Sequence, residues 1–520
     1  MSRLATTQGE TYDLAIVGGG IIGSGIARDA ALRGLQVALF ERRDFGSGTT
    51  AASTRIVHGG LRYLQMLDFR LVRLDLRERE TLLRIAPHLV RPLEFLIPFY
   101  ENDRTSAFKL RAGLALYDAL SFDKSLPSRR WLPAAEARTI DFALRRSDLR
   151  GAAAYYDARV DSPERLTLEN VLDAENHGAR VFNYCEVVRA TPHVRVRDTL
   201  DGTEVDVNAR VIVNATGAWM EPTTERFTGR RLGRIRTTKG IHIVVPPLAD
   251  HALVLYSQVD GRLLFAIPRG GLTWIGTTDT DYPGDPADAR ATAGEVQYLV
   301  DSVQRPFPNL TANHVLFTTA GVRALVRQGG RESSVSRMHK VVEGPPAAPR
   351  GVISVLGGKI TGYRAIAEDA TDAVCRRLGA RNRTSSTADT PLPGARTVED
   401  RKRPVNSAHD HLDELYGTRA AEIRALAQST PELARPLSPK YPEIGAEVVF
   451  AVRFEHCTRL SDFLRRRTLL GTTDDQGWEA AAAAAELMAN ELGWSRSRIE
   501  EETTAYREDI ARTLAFRDKS

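Results

Sequence analysis

The chain has 520 residues and a mass of 57.4 kDa, more than one hydrophobic core organises, so about 150 residues per domain predicts three or four units. Hydrophobic residues make up 42%, charged residues 26% and aromatic residues 7%, which excludes collagenous, disordered and disulfide-stapled chains. The net charge of +5 comes from 63 Arg and only 8 Lys spread along the chain, a compositional skew and not the basic stripe that nucleic acid selects.

No apolar run reaches the roughly 18 residues of a bilayer span. The opening MSRLATTQGE lacks the apolar stretch of a secretory signal, so the expected location is cytoplasmic. Cys185, Cys375 and Cys457 stand far apart, without zinc or redox spacing. They are expected to be reduced packing residues, and no metal site is expected.

In chain order, YDLAIV reads as a strand, GGGIIGSG as a tight turn, IARDAALRG as a helix and LQVALF as a second strand. Leu61, Leu64, Leu67, Leu71, Leu74, Leu82 and Leu83 among dense charges predict one or two amphipathic helices, stopped by Pro87 and Pro92. Residues 107–122 predict another helix. After a helix beginning at Pro163, the middle of the chain is rich in strands, around VFNYCEVVRA, VDVNARVIVN, IHIVV, LVLYS, RLLFAIP and LTWIGTT. VISVLGG and the residues that follow repeat the order strand, glycine turn, helix. Residues 381–404 have the Ser/Thr/Pro/Arg content of an exposed connection. Beyond it the chain reads as helical, with a run of high helix propensity that ends at Gly493.

Gly18, Gly20 and Gly23 follow the G-x-G-x-x-G order between a strand and a helix, and Glu41 ends the next strand. Gly18 permits the tight turn, Gly20 lets a pyrophosphate approach the helix N-terminus, and Gly23 lets helix and strand pack closely. Glu41 can accept from both hydroxyls of an adenosine ribose, so a dinucleotide is expected, FAD or NAD. Two features favour FAD. GSGTTAASTRIVHGGLRYL carries Thr49, Thr50, Ser53, His58, Gly59 and Gly60, hydroxyls and backbone suited to lie along a pyrophosphate and a flavin ring. VIVNATGAW ends a strand in small residues that include Thr216 and Gly217.

DLAIVGGGIIGSGIARDAALRGLQVALFE, TRIVHGGLRYL, VNATGAW, KGIHIVVP, IGTTDTDYPGDP, AGVRAL and SVLGGKITGYR, in this order and spacing, resemble the FAD-dependent glycerol-3-phosphate dehydrogenases. TPLPG and DFLRRRT extend the resemblance over nearly the whole chain. It implies an α/β fold: a glutathione-reductase-like FAD-binding Rossmann domain, an interleaved antiparallel-sheet substrate domain and a helical C-terminal domain. The expected division is 1–86, 150–238 and 315–380 for the FAD domain, and 87–149 and 239–314 for the substrate domain. A linker at 381–404 and a helical domain at 405–520 complete it. The chain departs from the family's usual residues at Arg55 (Lys), Ala218 (Pro), Ile241 (Ser) and Gly362 (Thr).

A substrate phosphate, close to dianionic at pH 7, needs fixed cations. Arg62, Arg323 and Arg337 are the candidates, since guanidinium forks suit phosphate. Removing an alcohol proton of pKa roughly 15.7 with a histidine near 6.5 leaves a gap of about 12 kcal/mol, so proton and hydride must leave together or cations must stabilise the oxygen. His242 is the candidate base. Lys359 is placed to stabilise developing negative charge, with Gly358 and Thr361 beside the flavin. Tyr63 and Thr278 are further pocket candidates, and His58 is expected to support the flavin. The expected reaction is oxidation of sn-glycerol 3-phosphate to dihydroxyacetone phosphate, with electrons passed to a membrane quinone. A glycerol-3-phosphate oxidase using oxygen is the nearest rival, and an RNA-associated flavoprotein a remote one. No nucleic-acid partner is expected. A peripheral contact with the anionic inner face of the cytoplasmic membrane is expected through residues 107–122, where Phe108, Leu110, Leu114, Leu116 and Leu120 stand near Lys109 and Arg111. A homodimer is left open.

Overall fold

The computed structural model describes residues 4–101, 103, 107–190, 193–326, 338–344, 351–380, 383–395 and 411–518. Arg337 and residues 381, 382 and 396–404 of the expected linker lie outside them, as does the side chain of Arg62.

The parallel sheet that opens the chain runs Val352–Leu356, Glu204–Asn214, Thr11–Val17, Val37–Phe40 and Arg180–Phe182, side by side. Its strands are short β-branched runs. Leu14, Ile16, Val37, Leu39, Val211, Val213, Ile353 and Val355 share one core, as strands covered by helices require. The helix Ile21–Leu32 packs there against Pro163–Asn176 and Tyr363–Leu378. Ser162 caps the former by accepting from Arg165 N–H at 3.1 Å, and Gly379, at φ +76°, ends the latter, a left-handed position that suits glycine.

A second sheet of ten strands is antiparallel except where Val90–Tyr100 meets Ala252–Tyr256. Ile56–Val57, Phe317–Val326 and all but the first residue of Leu149–Val160 lie in segments expected from sequence to belong to the FAD domain, and they pair within this sheet. Phe317–Val326 pairs along its length with Ile235–Val245, and Leu149–Val160 with Val90–Tyr100. Leu149, Ala152 and Ala154 complete the core made by Ile241, Ile243 and Leu253, not that of the parallel sheet.

The C-terminal helices Gly445–Phe454, Trp478–Leu492 and Arg496–Thr513 enclose their own core of Val448, Ala451, Phe463, Leu464, Ala484, Met488 and Tyr506. Buried ion pairs fasten it to the parallel-sheet layer. Arg165 holds Glu455 through two bonds of 2.5 and 2.9 Å, and Asp44 accepts from Arg466 and Arg467. All three cysteines are buried and unpaired as disulfides. Among the described residues no helix is long and apolar enough to cross a membrane, and no group of His, Cys, Asp and Glu could hold a metal ion.

Candidate active site

A cavity of about 720 Å³ is lined by residues of both sheets. One end is the glycine turn. Gly18 has φ +105°, and a Cβ there would stand 2.8 Å from the Ala215 carbonyl oxygen. At Gly23 a Cβ would meet the Gly18 oxygen at 1.8 Å, so helix and strand touch only because both positions are glycine. Gly20 caps the helix Ile21–Leu32 in extended geometry and lines the cavity, which offers a negatively charged group the helix N-terminus. Thr50 Oγ1 accepts the Ile21 N–H at 3.2 Å. Glu41 Oε2 accepts from Gly19 N–H at 2.7 Å and Oε1 from Arg43 N–H at 2.9 Å. Burial raises its pKa above the ordinary carboxylate value despite these two amides, and each oxygen keeps a lone pair for a ribose hydroxyl.

Along the cavity, Thr49 Oγ1 donates to the Val322 carbonyl at 2.7 Å and Thr216 Oγ1 to Asn214 Oδ1 at 2.7 Å. Gly217 and Gly358, at φ +57° and +117°, bring bare backbone to the wall. His58 lines the cavity and donates its N–H to Thr361 Oγ1 at 3.1 Å. Ser53 Oγ is buried in this wall without a hydrogen-bond partner. A buried hydroxyl is costly to leave unpaired, so this atom, the glycine turn and the ribose carboxylate together fit FAD. Gly59 and Gly60 stand just behind: a Cβ on Gly59 would strike Leu76 Cδ2 at 2.5 Å, and Gly60 has φ +77°.

The far end is cationic. Arg323 lies across Gly240, where a Cβ would come within 2.1 Å of Nη2. It donates to Thr277 Oγ1 at 2.8 Å, the Thr278 carbonyl at 3.1 Å and Asp279 Oδ1 at 3.2 Å, which fixes the plane of the guanidinium. Lys359 lines the cavity with its ammonium 3.9 Å from the Tyr63 ring centroid and ion-paired to Asp75. Thr278 does not line the cavity, and its hydroxyl oxygen accepts the Ile241 N–H at 3.0 Å. His242 is 2% exposed and stands one layer behind the cavity wall. Its Nε2 is 3.0 Å from Thr54 Oγ1 and its Nδ1 3.3 Å from Thr319 Oγ1. Burial first, then the charges of Arg323 and Arg55, push its pKa down to about 3, so the ring is neutral.

Sequence reasoning missed Thr54, which lines the cavity in front of His242, and Asp75. The signal for Asp75 was present. Leu71, Val72, Asp75, Leu76, Glu78, Arg79, Leu82 and Ile85 are the buried face of the helix Phe69–Ile85, so three charges sit at core spacing, where charges persist only when paired.

A glycine turn on a parallel sheet, a buried carboxylate beside it and a cavity reaching a second sheet are the features of a FAD-dependent oxidoreductase. Residues 13–367 match the family model described as FAD dependent oxidoreductase, and residues 385–499 the C-terminal domain of alpha-glycerophosphate oxidase. The chain is 38% identical to the glycerol-3-phosphate dehydrogenase of Synechocystis sp., over 98% of each protein. It is 36% identical to glycerol-3-phosphate dehydrogenase 2 of Mycobacterium tuberculosis, over 97% of this chain and 88% of that one. Its fold is similar to that of the Bacillus halodurans glycerol-3-phosphate dehydrogenase complexed with FAD, with a TM-score of 0.79 and 27% identity over 99% and 98% of the two chains. The chain belongs to the FAD-dependent glycerol-3-phosphate dehydrogenase family.

Proposed function

We propose that this protein oxidises sn-glycerol 3-phosphate to dihydroxyacetone phosphate and passes the electrons to a membrane quinone. The observation that carries the reading is the pairing, in one cavity, of a dinucleotide cradle at Gly20 and Glu41 with two fixed cations, Arg323 and Lys359, at the other end. Bound FAD supplies the hydride acceptor.

In this reading Arg323, with Arg62 and Arg337, holds the substrate phosphate. Lys359 faces the charge that develops as the alcohol is oxidised. Thr54 takes the alcohol proton on its hydroxyl side and passes its own to His242 Nε2. Arg323 depresses His242, and a phosphate dianion bound at Arg323 offsets that charge, so substrate binding itself strengthens the base.

The acceptor side rests on an exposed apolar patch. Leu67, Phe108 and Phe122 are 72%, 79% and 78% exposed, and Phe69 and Leu116 are exposed too. They belong to the helix Ala107–Leu120, its following turn and the turn between Leu61–Gln65 and Phe69–Ile85, helices that pack together. Arg70, Arg77 and Arg111 are exposed on the same helices, and the Arg73 guanidinium lies 4.5 Å from the Phe122 ring centroid. Leu110 and Leu114, counted on the same face from sequence, are core residues packed with Tyr63 and Leu64, and Leu120 is partly buried. Exposed apolar side chains on helices that also carry exposed arginines suit an anionic lipid surface, and the patch adjoins the helix that carries Tyr63.

The test is an anaerobic titration of the yellow protein with glycerol 3-phosphate, followed by reoxidation. Bleaching by the substrate and fast recovery with a soluble quinone, slow with air, support the reading. Fast recovery with air alone makes the protein an oxidase. No bleaching overturns the substrate.

A further inference from the structure

Lys359 reaches the cavity from the glycine turn after Val352–Leu356, and its ammonium is held from three directions. Tyr63 presents its ring face at 3.9 Å. The backbone of Gly60 leaves it room, since a Cβ there would come within 3.2 Å of Nζ. The third contact is Asp75, from a helix 284 residues earlier in the chain. Asp75 is 1% exposed and does not line the cavity. Its other acidic neighbours already have cations: Glu78 is held by Arg364 at 2.6 and 2.8 Å, and Asp157 by Arg79 at 2.6 Å and by the Tyr117 hydroxyl at 2.8 Å. Lys359 therefore compensates Asp75, and Asp75 compensates Lys359.

We propose that Asp75 is a positioning residue of the flavin site, which aims the Lys359 ammonium at the cavity and sets how much of its positive charge the reduced cofactor experiences. The proposal rests on the reading of the cavity as a flavin site.

Two observations support it. A buried, hydrogen-bonded carboxylate on one side and an aromatic face on the other leave an ammonium one direction in which to act. Asp75 is also poised: burial lifts its pKa to about 6 even though Lys359 pulls the other way, and Glu78 and Asp157 push it further up. Among the described residues, Lys359 is the cation that favours the ionised form of Asp75. The charge at the flavin is thus that of a pair, and each member sets the state of the other. Gly362 is part of the same arrangement. A Cβ there would lie 3.4 Å from Asp75 Oδ1, so the glycine leaves that oxygen without the hydroxyl a Ser or Thr would place beside it.

The experiment is an equilibrium reductive titration of the bound flavin, without glycerol 3-phosphate or quinone, so its outcome is separate from the identity of the substrate and of the acceptor. Asp75→Asn leaves Lys359 uncompensated and is expected to favour the reduced flavin by at least tenfold, about 30 mV for a two-electron couple. Lys359→Met is expected to shift the equilibrium the opposite way. In the Lys359→Met background, Asp75→Asn is expected to change nothing, because Asp75 is already protonated there. Equal shifts in both backgrounds, or no shift in either, overturn the proposal. If Asp75→Asn alone does not retain FAD, the double variant, which buries no unpaired charge, is expected to retain it. Failure of the double variant to do so overturns the proposal as well.

Discussion

Asp44 and Arg467 meet in a two-bond contact, with Nη1 2.8 Å from Oδ2 and Nη2 2.9 Å from Oδ1, and both side chains are buried. Asp44 follows Glu41, the proposed ribose ligand, by three residues, so the C-terminal helices hold the loop beside it. Arg467→Met is expected to lose about 3–5 kcal/mol, the usual result of stripping one partner from a buried pair. Release of FAD should fall to lower temperature in the same scan. The two arginines hold Asp44 well below the ordinary carboxylate range. A depressed pKa contributes stability above the unfolded value of about 3.9 and loses it as pH falls. Wild type should therefore destabilise more steeply than the variant below about pH 4, as acid unfolding followed by flavin fluorescence would record.

Arg323→Ala is expected to lower kcat/KM for glycerol 3-phosphate by about 10- to 160-fold, the equivalent of about 1.5–3 kcal/mol for a charge-assisted contact. Arg323→Lys should recover little, since the fork held by Thr277, Thr278 and Asp279 has no counterpart in an ammonium. Unphosphorylated glycerol is the control, and its slow oxidation should barely change in steady-state assays.

His242→Asn should slow flavin reduction in single-turnover stopped-flow measurements while the substrate affinity stays within a few fold. It should also alter the stability profile. The pKa of His242 is pushed down to about 3 in the folded protein from about 6.5 when unfolded. The unfolded chain therefore binds the extra proton, and stability rises with pH between those values. Asn should flatten that rise in denaturant titrations at pH 4, 5 and 6.

Phe108→Ser and Phe122→Ser, singly and together, are expected to weaken flotation with anionic liposomes and leave the melting temperature unchanged, because both side chains already face solvent. Raising the salt should weaken wild-type binding, as the Debye length contracts from about 10 Å at 0.1 M to about 3 Å at 1 M.

The dinucleotide end of the cavity was legible because its chemistry is local. Gly18, Gly20, Gly23 and Glu41 lie within one strand, turn, helix and strand, and the spacing that names them also builds them. The other end depends on partners far apart in the chain. Alternation along Ile235–Val245 puts His242 on the same side as Gly240, yet only the fold shows Thr54, from 188 residues earlier, standing in front of it. Thr278 reads as a pocket hydroxyl from sequence, and only the fold shows the Ile241 N–H donating to it. The pairing partner of Phe317–Val326 was hidden for a related reason: a strand's sequence records that it pairs, not with which strand.

The tie between Asp44 and Arg466 and Arg467 also bears on how the protein is made. The two arginines stand 422 and 423 positions after the acid, so the ribosome must add more than 420 residues before the acid gains its cations. Until then the loop beside Glu41 carries a carboxylate with no such partner, and it has reason to stay in water instead of closing. Cofactor capture should therefore come late in biosynthesis. Stalled or truncated chains ending before residue 455 should emerge nearly colourless even where the glycine turn has already formed.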